Sequence, residues 1–298
     1  MNNIDIFNQT QTVIQYNSIL TDAADSAAAS TKVYKEGFRS KRKVNKRMNV
    51  SFRESLTLIP AYEFACMGTK AAVLNFANPL TPGGGVLRGA NAQEEYLCRA
   101  TALYNCLTSR AAAEYYDIHR QICDRNNNNN MLLATDAVIF SPDVPVIRMD
   151  ADYFPEVACR PVQVLMPQDQ WYYIDVITCA APYFASKQLV IPDGDLEQIF
   201  MRRIRNMLEV AIENNVQQLI LGAFGCGKFN NPPQVVASAF SKVLQEEHYK
   251  HAFSDVIFAV KRTQPFCENI EAFQNAFTNF PPTINHTFSA ESNKRRFF

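Results

Sequence analysis

Ten glycines serve a chain of 298 residues, and seven of them fall in two short windows: Gly83, Gly84, Gly85 and Gly89, then Gly222, Gly225 and Gly227. Glycine tolerates positive φ and lets a backbone approach a ligand closely. A scarce residue concentrated in this way specifies two close-approach loops; a pair of ordinary tight turns is the plainer alternative. Around both windows, short apolar runs alternate with longer stretches of helical spacing. Strands are expected at residues 71–76, 134–140, 144–148, 173–179, 216–221 and 255–260, and helices at 196–213, 233–247 and 265–276. Such alternation predicts an α/β sandwich whose ligand loops lie at strand ends.

Apolar residues make up 47% of the chain and charged residues 19%, enough for a full-sized core and too apolar for disorder. Twenty-nine basic and twenty-nine acidic side chains cancel, so net charge does not make the whole molecule a polyanion binder. Residues 1–15 lack a basic segment followed by an apolar one, and no run approaches the ~18 apolar residues of a spanning helix. The expectation is a protein without signal peptide or membrane partner, monomeric and cytoplasmic, with a nuclear location still open. None of the eight cysteines forms a CxxC pair, and four histidines offer no zinc-ligand spacing. Reduced thiols and no metal are expected. His248-Tyr249-Lys250-His251 lacks a further ligand and reads as an exposed helix end.

Residues 32–53 carry nine Lys or Arg against a single Glu36. They read as a helical stretch, either a solvated face or a surface that attracts a polyanion. Residues 126–130 form an all-asparagine loop, and residues beyond 280 read as a tail containing Lys294-Arg295-Arg296. The organisation expected is a helical, basic extension over residues 1–60 packed on an α/β core at 61–280, with a tail at 281–298.

The second glycine window matches GxxxxGK from Gly222 to Lys228, but Phe229 stands where a phosphate-binding P-loop needs Ser or Thr. Asn230-Asn231-Pro232-Pro233 also delays the helix that should follow at once. Backbone cradling of phosphate remains available without the P-loop. In the first window seven residues separate Gly85 from Gln93-Glu94-Glu95, at the start of a helix with Asn91 as N-cap and Glu94 at the third position. Leu97, Ala100, Tyr104 and Leu107 give that helix a buried face. A capping role for Glu94 explains one glutamate and leaves the triple glycine unexplained.

These residues resemble a known family. Residues 73–79 (VLNFANP), the Pro82-Gly83-Gly84-Gly85 turn, Gly89-Ala90, Gln93-Glu94-Glu95 and Leu97-Cys98-Arg99 are similar to the bacterial-type poly(ADP-ribose) glycohydrolases. Those are macrodomain proteins marked by a triple glycine, six to eight residues, then Gln-Glu-Glu. Residues 140–146, Ala180-Ala181-Pro182 and residues 222–227 continue the likeness in the same order. The resemblance implies a macrodomain-like three-layer α/β/α sandwich with a mixed sheet, in which residues 61–280 are the catalytic core.

It further implies hydrolysis of the ribose–ribose O-glycosidic bond of poly(ADP-ribose), or of ADP-ribosylated macromolecules, with ADP-ribose as product. Glu95 matches the catalytic acid, and Glu94 the neighbour that holds the ribose hydroxyls. Gly83, Gly84 and Gly85 match a diphosphate loop, and Gly225, Cys226 and Gly227 a second one. Phe229 matches an aromatic packed on the terminal ADP-ribose. Val86, Gln93 and Phe224 accompany them as substrate contacts. Asn75 and Asn78 lie where an asparagine meets the distal ribose, although Asn78 often is Ser in the family; Lys228 replaces a small or apolar residue, so the roles of both stay open. No cofactor or metal is implied. Adjacent glutamates on a helix point about 100° apart and cannot flank one bond as paired glycosidase carboxylates do. A single glutamate acting as acid and then base, with the substrate diphosphate placing water, is the implied route. Two alternatives remain: a reader that binds ADP-ribose without cutting, and a hydrolase for another ADP-ribosyl linkage.

Overall fold

A computed structural model describes residues 1–125, 134–150, 163–183, 191–262 and 268–278. The chain opens with α1 (Asn3–Tyr16) and α2 (Ser18–Ser30). Asn2 caps α1 and exchanges hydrogen bonds with Asp5, while the Asn17 side chain caps α2. Next come β1 (Lys32–Tyr34), β2 (Asn49–Arg53), α3 (Leu58–Cys66), β3 (Ala71–Phe76), α4 (Gln93–Ala100), α5 (Leu103–Leu107) and α6 (Ala113–Arg125). The rest comprises β4 (Val138–Val146), β5 (Arg148–Asp150), β6 (Gln163–Leu165), β7 (Tyr172–Cys179), α7 (Asp193–Glu213), β8 (Gln218–Leu221), α8 (Pro233–Leu244), β9 (Asp255–Ala259) and α9 (Glu268–Phe277).

Seven strands form one mixed sheet in the order β1-β4-β7-β3-β8-β9-β2, and β5 pairs with β6 separately. Neighbours are parallel from β7 through β2, whereas β4 runs antiparallel to both β7 and β1. Central parallel strands are covered on both faces and therefore read as continuous apolar runs. In β3, Ala71 and Val73 enter one core with the α1–α6 side, while Ala72 and Leu74 enter the other with α7, α8 and α9. The result is the α/β/α sandwich expected.

Residues 32–53 depart from the helical expectation. They contribute β1 and β2, the two edges of the main sheet, joined by a strap that crosses α7. Apart from Arg53, which is half-buried against Glu63, their basic residues are exposed, which a strand edge permits as readily as a helix face does. The strands expected at 134–140 and 144–148 are one bulged strand, β4, whose register shifts between Ser141 and Val144. Asp143 takes φ 52° there, and the chain then turns into β5. The helix expected from Asn91 through Leu107 breaks after Ala100. Thr101 is extended and bridges to Val146, with the Ala102 N–H donating to Pro145 O at 3.0 Å. Pairing with β4 thus overrides helical spacing. Tyr249, expected on an exposed helix end, is buried and donates its hydroxyl to Glu209. Residues 126–130, the start of the helix expected at 265–276 and the 281–298 tail lie outside the described residues.

Candidate active site

Both glycine windows leave the carboxyl ends of neighbouring central strands, β3 and β8, where open α/β sheets form ligand crevices. Phe76 closes β3, and its ring packs against Phe224 of the second loop at 5.7 Å between centroids. The first loop is built on Asn78, whose side chain accepts from the Leu80 and Thr81 N–H groups, both at 2.9 Å. Gln93 then fastens the start of α4 to β3: it accepts from the Phe76 N–H at 2.9 Å and donates to Leu74 O at 2.7 Å. β8 pairs only with Ala71, Ala72 and Val73, so the Gln93 amide engages β3 backbone beyond that pairing.

The helix begins one residue later than expected. Ala92 is the N-cap, and Glu95, not Glu94, reaches back to the Ala92 N–H at 3.0 Å. The other oxygen of Glu95 accepts the Gly85 N–H at 2.7 Å. Glu94 turns toward the end of β3, accepting the Asn78 N–H at 2.8 Å and the Asn75 amide at 3.4 Å. Both carboxyls are buried. Burial pushes the Glu94 carboxyl up to about 8, so it is largely neutral at pH 7. A neutral carboxyl offers one donor and one acceptor oxygen, a pattern suited to a sugar diol.

Gly84 explains the triple glycine. Its φ is 59°, and a Cβ there would lie 2.5 Å from Oε1 of Glu95 and 2.9 Å from Oε2 of Glu94. A side chain would fill the gap between the two carboxyls and strain the backbone as well. Gly83 and Gly85 are likewise crowded, by the Tyr104 ring and by the Ala90 methyl. The loop is therefore a mould around Glu94 and Glu95. Asn75 is fully buried and donates to Thr178 Oγ1 at 3.2 Å; its Oδ1 has no partner among the described residues.

The second loop is held differently. A Cβ on Gly222 would lie 2.7 Å from Ala259 O, and one on Gly225 (φ 76°) would lie 2.4 Å from the Ala181 Cβ. Beyond that root, Gly227 and Lys228 are exposed, Cys226 and Phe229 are half-buried, and Phe229 meets the Tyr183 ring edge-on at 5.2 Å. Two residues expected at the ligand belong to the cores instead. Val86 is buried beneath its single helical turn, and Phe224 is buried between Phe76 and Phe200, so neither side chain faces the crevice.

Sequence reasoning missed several supports. Asn231 is buried and donates to Pro182 O at 2.8 Å and Gly225 O at 2.9 Å, pinning the second loop to the end of β7. The sequence signal is the Asn230-Asn231 pair before Pro232-Pro233, which stop the helix from starting at once; in the structure Asn230 takes φ 56°. Arg99 donates to Ala90 O and Asn91 Oδ1, fixing the turn before α4. Asn3 of α1 donates to Gly89 O at 3.0 Å, a contact across 86 residues that no local pattern announces. Among the described residues, no group of three or more His, Cys, Asp or Glu could hold a metal ion, and no helix is long and apolar enough to cross a membrane.

Fold and site together define an α/β/α protein that moulds two adjacent carboxyls between phosphate-style glycine loops. The model of the microbial-type poly(ADP-ribose) glycohydrolase (PARG) catalytic domain matches residues 3–149. The chain belongs to that family. Poly(ADP-ribose) glycohydrolase from Thermomonospora curvata is 27% identical, with a TM-score of 0.78 over 92% of this chain and 99% of that one. The enzyme from Deinococcus radiodurans in complex with ADP-ribose is 30% identical, with a TM-score of 0.73 over 87% and 98%. A Thermomonospora curvata structure with the inhibitor ADP-HPD is 28% identical, with a TM-score of 0.75 over 92% and 99%. A comparison with curated proteins finds no match.

Proposed function

We propose that this chain hydrolyses poly(ADP-ribose) at ribose–ribose O-glycosidic bonds and releases ADP-ribose, with Glu95 as the catalytic acid and no metal ion. Support comes from the pair of carboxyls held around Gly84, beside a second glycine loop on the adjacent strand. Backbone N–H groups of the loops and the N-terminus of α4 favour an anionic diphosphate. Glu94, neutral at pH 7, hydrogen-bonds the ribose hydroxyls next to the scissile bond. Glu95 gives its proton to the leaving oxygen as positive charge develops on the ribose, then accepts a proton from the attacking water. The Gly85 and Ala92 N–H groups fix the position of that carboxyl and stabilise it once ionised. Phe229 and Tyr183 flank the exposed tip of the second loop, where an aromatic contact holds the terminal unit.

The same two N–H contacts give Glu95 a structural use, which favours the second reading, a protein that binds ADP-ribose without cutting it. Glu95→Gln separates the readings. Hydrolysis of labelled poly(ADP-ribose), followed by product sizing, should fall at least ~10²-fold while ADP-ribose still binds. Turnover at the parent rate would remove Glu95 from the chemistry. Activity should persist in EDTA; loss reversed by a divalent ion would overturn the metal-free route. Parallel incubation with mono-ADP-ribosylated protein distinguishes the polymer from other linkages.

A further inference from the structure

The strap between β1 and β2 carries charge that nothing around it answers. Lys41, Arg42, Lys43, Lys46 and Arg47 are all exposed within seven residues. Arg42 donates to the Asn215 side chain, and among the described residues none of the five forms an ion pair. Nearby carboxylates are engaged elsewhere: Glu209 with Ser40, Arg39 and Tyr249, Glu213 with Ser40, and Glu246 with Arg205. The backbone beneath is anchored, because the Lys46 N–H donates to His251 O at 2.8 Å and Asn49 pairs in register with Asp255. A molecule with no net charge thus concentrates five uncompensated cations on one firmly held segment.

Its position matters as much as its charge. Asn215 precedes β8 and His251 precedes β9, so the cations lie at the amino ends of the strands. Glu94, Glu95 and the glycine loops lie at the carboxyl ends. α7 runs between the two ends, and its 21 residues span about 30 Å. One ADP-ribose unit in the glycine loops leaves this basic face empty.

We propose that the 41–47 strap is a second docking surface for the polyanionic poly(ADP-ribose) chain, engaged by long polymers and not by the unit being cleaved. This rests on the polymer hydrolysis proposed above. It retains the enzyme on its substrate between cuts, because phosphates remote from the scissile bond stay in contact with Lys and Arg.

The test uses full-length protein carrying Lys41→Gln, Lys43→Gln, Lys46→Gln and Arg47→Gln together. Affinities for size-fractionated poly(ADP-ribose) are read in the Glu95→Gln background at several salt concentrations. Loss of four phosphate contacts should weaken long-polymer binding about tenfold or more near 0.1 M salt. The slope of log K against log salt should shrink by roughly 2–3. Monomeric ADP-ribose affinity and turnover of the shortest cleavable oligomers should be unchanged with Glu95 restored. Unchanged long-polymer binding, or an equal loss for monomer and polymer, overturns the proposal. So does a strap-dependent affinity for single-stranded DNA or RNA matching that for the polymer, which would mark a general nucleic-acid surface. If the parent neither binds nor cuts poly(ADP-ribose), the function has failed first. If it cuts normally and the variant binds long polymer as well as the parent, only the docking surface has failed.

Discussion

The two glycine loops leave adjacent strands at the same end of the sheet, yet they spend their glycines differently. In the first, Gly83, Gly84 and Gly85 are all crowded by the protein itself, and Gly84 fits only because no Cβ separates Glu94 from Glu95. In the second, Gly222 and Gly225 are crowded at the root, while Gly227 at the tip meets nothing within 4 Å. One loop moulds two carboxyls and the other presents a surface. Similar composition therefore conceals two mechanical roles, and substitutions should separate them.

The largest effect is expected at the first loop. Gly84→Ala forces a methyl between two carboxyls at a positive φ, so hydrolysis should drop at least ~10²-fold. Gly227→Ala, with open space and no positive φ, should leave the melting temperature unchanged. Equal damage at both sites would erase the distinction. Next comes the aromatic rim. Phe229→Ala should weaken ADP-ribose binding by about 1–3 kcal/mol in calorimetry, by analogy with base stacking, and move Tm little because the ring is half-buried.

Asn231→Ala removes both side-chain bonds that pin the second loop to Pro182 and Gly225; the Gly225 carbonyl keeps the backbone N–H of residue 231, and the Pro182 carbonyl loses its donor. Stability should fall by roughly 2 kcal/mol in denaturant titrations, with turnover falling less than in Gly84→Ala. A pH-dependent effect belongs to Glu94. Its folded pKa of about 8 lies above the ordinary value of 4.5, so the fold prefers the protonated form. That contribution is complete below the ordinary value and lost as pH rises toward 8. Glu94→Gln should therefore gain on the parent across that window, by at most about 3 °C of Tm per pH unit. Parallel melting curves from pH 5 to 8 would contradict the burial argument.

The legible parts of this protein share a physical cause. β3 could be read because a strand covered on both faces must be apolar throughout, and both loops because glycine is scarce elsewhere. The site failed to be legible where distant contacts decide it. The break at Thr101 depends on a bridge to Val146, and the cap moved from Asn91 to Ala92 because Glu95 is shared between the helix and Gly85. Val86 and Phe224 sit inside otherwise well-marked motifs, yet face the cores; a motif gives position along the chain and not side-chain direction. The edge strands escaped notice because β1 is three residues long and β2 is prefaced by charges that also suit a solvated helix.

Those edge strands set the order in which a growing chain completes itself. Asn49 of β2 waits for Asp255, 206 residues later, and at 5–20 residues per second the ribosome supplies that partner only after roughly 10–40 s. During that interval Val50 and Phe52 travel without their neighbour, in a strand sequence prone to pairing with other chains. The run of lysines and arginines immediately before them then acts as a gatekeeper, keeping the nascent segment apart from its copies until β9 emerges. Closing so long a loop makes β2 among the last strands to join and, at the rim of the sheet, a natural first to leave.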